Sequence, residues 1–174
     1  EALTPSDLLG GTAVVTLARD GADRKLCGLV AAVTDRGFVG AHRVAEVVLV
    51  PALWTLGQRT STRIFQEVDA LAATELVLRE AGVYQGAAFE KVIAITLPVR
   101  EYCTQYEETD LAFVRRLLEE EGLAFYFKHE GETETLVIAD GSHDGADVKL
   151  SSKSLPGNAD RAKCLPVEGQ GGAT

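Results

Sequence analysis

With 174 residues the chain can make one ordinary domain or two small ones sharing a core. A fold of that size buries about 70% of its unfolded surface, so it needs no disulfide or metal staple. The 46% hydrophobic and 25% charged content is a globular balance, and the net charge of −9, with no Lys/Arg cluster, argues against nucleic acid or an anionic membrane as partner.

In chain order, Gly10-Gly11 precedes an alternating run from Thr12 to Arg19, and a second apolar run covers Leu26–Val33. Asp20-Gly21 lies between them, so the pair reads as a β-hairpin with a loop longer than two residues. A third run, Arg43–Val50, is rich in β-branched residues and stops at Pro51, which has no N–H for a ladder. This first block is all-β and reads as part of a small barrel or sandwich.

From Leu53 to Gln66 no period is evident. Asp69 then caps a helix expected to reach Ala81, with Ala70, Leu71, Ala73, Val77, Leu78 and Ala81 on one face and Gly82 as its left-handed stop. Val92–Leu97 reads as a short strand closed by Pro98. A second helix spans about 109–121, with Thr109 or Glu108 at its start and Asp110 in the first turn, suited to the positive end of the helix dipole. Leu111, Val114, Leu117 and Leu118, flanked by Phe113, form its apolar stripe; Arg115–Glu119 and Arg116–Glu120 are spaced to pair on the other side. Gly122 ends it, and Leu123 is placed to fold back on Leu118. A hairpin follows over 123–139, with strands Leu123–Phe127 and Thr135–Ala139 and the turn His129–Glu134. Tyr102, Phe113, Leu117, Phe125 and Phe127 are the expected core, and 141–174 is expected to be a polar, partly disordered extension.

Residues for chemistry are scarce. Cys27, Cys103 and Cys164 are odd in number and far apart, which argues against a disulfide framework or zinc site; Cys27 and Cys103 read as small core hydrophobes, a usage that suits a reducing compartment. The acids Glu107, Glu108 and Asp110, with Glu119, Glu120 and Glu121, sit at opposite ends of one helix and read as dipole matching plus a solvated face. The acidic run Asp140–Asp147 lacks the spacing of a calcium loop. His42, His129 and His143 have no partner at ligand or triad spacing. No hydrolase, phosphate-loop or dinucleotide motif occurs, and no apolar run approaches the ~18 residues of a membrane span. The expectation is therefore no catalytic residue, cofactor, metal or small-molecule substrate. The chain has no methionine and opens on Glu1-Ala2-Leu3, which reads as a segment of a longer protein.

The stretch Arg100–Phe127 (REYCTQYEETDLAFVRRLLEEEGLAFYF) resembles the most characteristic part of the VgrG family, the spike proteins of bacterial type VI secretion. Its pattern stands here at Arg100–Cys103, Gln105–Asp110, Phe113, Arg116–Gly122 and Phe125–Phe127, and Leu49–Leu56 and Arg63–Gln66 (RIFQ) match further segments in the right order. Asp140 fits the acid that follows the family's hairpin. The resemblance covers roughly 8–140. It implies an α+β fold like the baseplate hub of contractile phage tails: small β-barrel modules with two short amphipathic helices, a β-rich barrel portion over 1–52 and an α+β hub portion over 53–140. It also implies a non-catalytic hub that forms homotrimers in the full-length protein, sits on a hexameric Hcp-like tube among baseplate proteins, and is assembled in the bacterial cytoplasm before injection. A hub from a phage tail or another contractile injection system is the near alternative, and a small hydrolase the distant one.

Overall fold

The computed structural model describes residues 5–19 and 22–141. After a single helical turn, α1 (Pro5–Leu8), the chain makes an antiparallel meander of β1 (Thr12–Arg19), β2 (Ala22–Val39) and β3 (His42–Val50), in spatial order β1-β2-β3. The β1–β2 register runs from Thr12 opposite Leu29 to Arg19 opposite Ala22, so two residues separate the strands instead of the longer loop expected. Strand β2 also far exceeds the expected Leu26–Val33, because its first half pairs with β1 and its second with β3. Register shifts between Val30 and Ala32 and between Asp35 and Phe38 bend the β2–β3 ladder. Near the tip Arg43 Nη2 lies 2.7 Å from Asp35 Oδ2, and that bond, aided by the Gly37 N–H, holds the Asp35 carboxyl below its ordinary pKa. Leu17, Phe38, Val39 and Val48 stay exposed on this sheet.

Pro51 ends β3, and a 3-10 helix, Ala52–Gln58, buries Leu53 and Leu56 while leaving Trp54 half-exposed. β4 (Thr60–Val68) pairs antiparallel with β6 (Arg100–Thr109), and the two long helices follow these strands: α2 (Ala70–Ala81) after β4, α3 (Asp110–Glu120) after β6. Both helices begin as their sequences predict: Asp69 Oδ1 accepts the Ala72 N–H at 2.7 Å and Thr109 Oγ1 accepts that of Ala112 at 3.1 Å. Both end on a left-handed glycine. After α3, Gly122 (φ 68°) donates to the Glu119 carbonyl, and Leu123 donates to that of Leu118 at 2.8 Å. These are the two bonds of a Schellman ending, and a β-branched residue at 122 would meet the left-handed steric penalty.

Phe65, Ala73, Val77, Leu78, Cys103, Phe113, Val114, Leu117, Leu118 and Leu123 form the core, with Leu136 and Ile138 closing it. The Phe65 and Phe113 rings stack at 5.3 Å between centroids. Phe125 and Phe127 pack half-buried against that core, but Tyr102 does not join it and is 62% exposed. Strand alternation is the reason: Cys103 and Gln105 point inward, so Tyr102, Thr104 and Tyr106 point out.

The third sheet, in order β5-β8-β7, contains β5 (Phe89–Val92), β7 (Ala124–Glu130) and β8 (Thr133–Ala139), with β5 parallel to β8. Pairing of Glu130 with Thr133 makes the hairpin turn tighter than His129–Glu134, with Gly131 at positive φ (61°) in its first loop position. The strand expected over Val92–Leu97 stops at Val92. There Asp140 Oδ2 accepts the N–H groups of Ala94 (2.6 Å) and Ile95 (2.9 Å), which takes the chain out of the ladder. Among the described residues the strands thus form three open sheets, and none closes into a barrel. Gly141 apart, the expected extension, Cys164, His143 and the acidic run after Asp140 lie outside the described residues.

Candidate functional site

The two motif segments, Arg63–Gln66 and Gln105–Asp110, meet. In the β4–β6 register Arg63 stands opposite Gln105, and both point to the start of α3. Gln105 is completely buried. Arg63 Nε donates to its Oε1 at 2.7 Å, while its own Nε2 donates to Asp110 Oδ1 (2.9 Å) and to the Glu108 carbonyl (3.1 Å). Arg63 Nη2 reaches the same Oδ1 at 3.1 Å, and Nη1 donates to Glu80 of α2. Asp110 is itself fully buried; Arg59 Nε stands 3.4 Å from its Oδ2, and the Asp110 N–H donates to the Arg59 carbonyl at 2.8 Å. The Arg63 guanidinium also lies over the Phe65 ring, 5.1 Å from its centroid.

This cluster joins β4, β6, α2 and the N-terminus of α3, where the helix dipole favours a carboxylate. A general acid or base must come within hydrogen-bond reach of a substrate. Asp110 is shut off from solvent and faces two guanidiniums and an amide, so its chemistry is spent on holding secondary structure together. In the sequence Asp110 reads as dipole matching, and Arg63 and Gln105 stand in the motif segments with nothing to show that they meet it. The usable signal was a polar residue at an inward position of each strand: Gln105 shares its face with Cys103, and Arg63 shares one with Phe65.

Glu108, Glu119, Glu120 and Glu121 are likewise paired. Arg116 links both ends of α3: it donates to Glu108 Oε1 (2.6 Å), to Glu120 Oε1 (3.2 Å) and to the Thr104 carbonyl on the edge of β6 (3.0 Å). Arg100 binds Glu120 (2.6 Å) and Glu121, and Arg115 pairs with Glu119 at 3.6 Å. The Arg100 hydrogen bond holds the Glu120 carboxyl below its ordinary pKa against the opposing effect of burial, with Arg116 adding to it. Glu107 is exposed and sits at positive φ (47°) in a bulge of β6 opposite Thr62. Burial pushes the Cys103 thiol up, which keeps it protonated and un-nucleophilic; Cys27 is also buried.

A cleft of about 560 Å³ runs between the β1–β2 sheet and the α+β part, lined by Val14, Cys27, Leu29, Val83, Tyr84 and Glu134. Its polar groups also hold backbone. Glu134 Oε1 accepts the Ala52 N–H (2.9 Å) and the Tyr84 hydroxyl, and the Tyr84 oxygen accepts the Leu53 N–H (2.9 Å). Burial, then Glu134, pushes the Tyr84 hydroxyl far up. His42 is exposed on β3, whereas His129 is engaged with β2.

The phage tail baseplate hub (GPD) family model matches residues 1–162. This chain belongs to that family. It is 35% identical over 159 residues to the type VI secretion system spike protein VgrG3 of Vibrio cholerae, covering 90% of this chain and 15% of that protein. It is 43% identical over 95 residues to the spike protein VgrG4b of Pseudomonas aeruginosa, covering 55% of this chain and 12% of that one. The chain therefore spans only a small part of either relative. Among solved structures it is similar to the E. coli c3393 protein, a component of the type VI secretion system with structural similarity to the T4 bacteriophage tail proteins gp27 and gp5. That likeness has a TM-score of 0.72 at 28% identity and covers 80% of this chain and 38% of that one. The spike resemblance seen in Arg100–Phe127 thus holds as homology to VgrG spike proteins and membership of the hub family.

Proposed function

We propose that the chain is a non-catalytic part of the structural hub of a type VI secretion spike, joining an Hcp-like hexameric tube to the puncturing needle. The full-length protein is a homotrimer that contacts baseplate proteins, assembled in the bacterial cytoplasm and injected through the apparatus. Within it, residues 1–52 contribute to a β-barrel module and 53–140 form the α+β hub portion. One observation carries this reading. The residues that make the family's motif, Arg63, Gln105 and Asp110, close on one another inside the fold and leave no reactive group facing a ligand. A network of this kind fastens strands to helices and supports a structural role.

The experiment is light scattering and co-sedimentation of the full-length parent protein with purified tube protein. Trimers that cap tube stacks are expected; a parent that stays monomeric and ignores the tube refutes the reading. A hub from a phage tail is the second reading, favoured by the family's own description and by the T4 tail likeness of the c3393 protein. Neighbouring genes separate the two: sheath and membrane-complex genes go with secretion, capsid genes with a phage.

A further inference from the structure

Strand β3 leaves the meander at Pro51, and its last pair with β2 is Val50 opposite Leu29. Before Leu29 the β3-side edge of β2 is open. Val30 uses both backbone groups toward β1, donating to Gly11 and accepting from Gly10 at 2.9 Å each, so alternation turns the Cys27 N–H to the open side. His129 of β7 takes it: the Cys27 N–H donates to His129 Nδ1 at 3.1 Å, and the Cys27 thiol lies 3.9 Å from the Gly131 carbonyl. These contacts fasten the meander to the β7–β8 hairpin.

An imidazole nitrogen that accepts a hydrogen bond carries no proton. Protonation would set Nδ1–H against the Cys27 N–H, donor against donor. Directly across the hairpin from His129 is Glu134, so the two side chains share a face of the sheet. Glu134 Oε1 is occupied by Ala52 and Tyr84, but Oε2 is buried with no hydrogen-bond partner. We propose that His129 is a proton-operated latch: neutral, it holds β2 to the hairpin through Cys27; protonated, it releases Cys27 and turns to Glu134 Oε2. The titratable groups placed about it are Cys27 of β2, bonded to its ring, Glu134 across the hairpin, and Tyr84, bonded to Glu134. Acid therefore opens the latch, because the protonated ring no longer accepts the Cys27 N–H.

The test is NMR on the 174-residue chain, following the His129 ring and Cys27 amide exchange from about pH 8 to about pH 5, the range in which histidine changes charge. Cys27 protection, corrected for intrinsic exchange, should fall about tenfold, the worth of one hydrogen bond, with the His129 midpoint, while Val77 in the core stays protected. His129→Asn places an amide oxygen where Nδ1 stood and should keep Cys27 protected at every pH. Cys27 protection that ignores the His129 titration, the same step persisting in His129→Asn, or parallel loss at Val77 would each overturn the proposal.

Discussion

Replacing Asp110 by asparagine removes one negative charge from a fully buried position while keeping the size of the side chain. In the native chain Oδ1 receives Arg63 at 3.1 Å and Gln105 at 2.9 Å, and Oδ2 faces Arg59 at 3.4 Å. An asparagine oxygen can serve one side, but its NH2 must then point at a guanidinium, donor against donor. Removing one partner of a buried ion pair costs about 3–5 kcal/mol, and a hydrogen bond to a charged group contributes about 1.5–3 kcal/mol. Here Arg63 is 21% exposed and keeps Glu80, and Arg59 can turn to solvent, so the expected loss is roughly 2–4 kcal/mol. For a chain of this length that lowers Tm by roughly 5–12 °C. Thermal and urea melts followed by circular dichroism measure it, and a double-mutant cycle with Arg63→Met should give a coupling above about 1 kcal/mol. An Asp110→Asn chain melting within about 1 °C of the parent, or additive single mutants, would refute the account of the motif as a buried fastening.

Leu117→Ala empties a position with no solvent exposure between the helices and should cost about 2–5 kcal/mol in a urea melt; an unchanged midpoint would contradict its place in the core. Glu120 has a folded-state pKa held below its ordinary value, chiefly by Arg100, so its contribution is present above the unfolded carboxylate pKa and is lost as pH falls through the folded one. Glu120→Gln should therefore flatten the acid side of the stability–pH curve and leave little change in high salt, because Glu120 is 41% exposed and its ion pairs are screened. A curve of unchanged slope in a Glu120→Gln melt series would remove that assignment.

Much of the α+β part was legible in the chain itself. Asp69 with Gly82, and Thr109 with Gly122, bound their helices because capping is local chemistry: the partner lies within three residues and the left-handed stop needs only glycine. The inward stripe of α3 followed from its 3.6-residue period, and the long motif of Arg100–Phe127 carried the family. Errors arose where the deciding partner is distant in sequence. Tyr102 was placed inside because it is aromatic, whereas the inward face of β6 belongs to Cys103 and Gln105, a matter of register against β4. Val92–Leu97 looks like a strand by composition, but a carboxylate some 46 residues later, Asp140, takes the Ala94 amide the ladder would have used. The length of β2 depends on having β1 and β3 as successive partners. Residue order alone thus determined the helices, their stops and the kinship of the chain. Tertiary structure decided that Arg63, Gln105 and Asp110 are one buried unit, and that His129 bridges to Cys27, because hydrogen bonds between strands and across sheets link residues that no sequence period brings together.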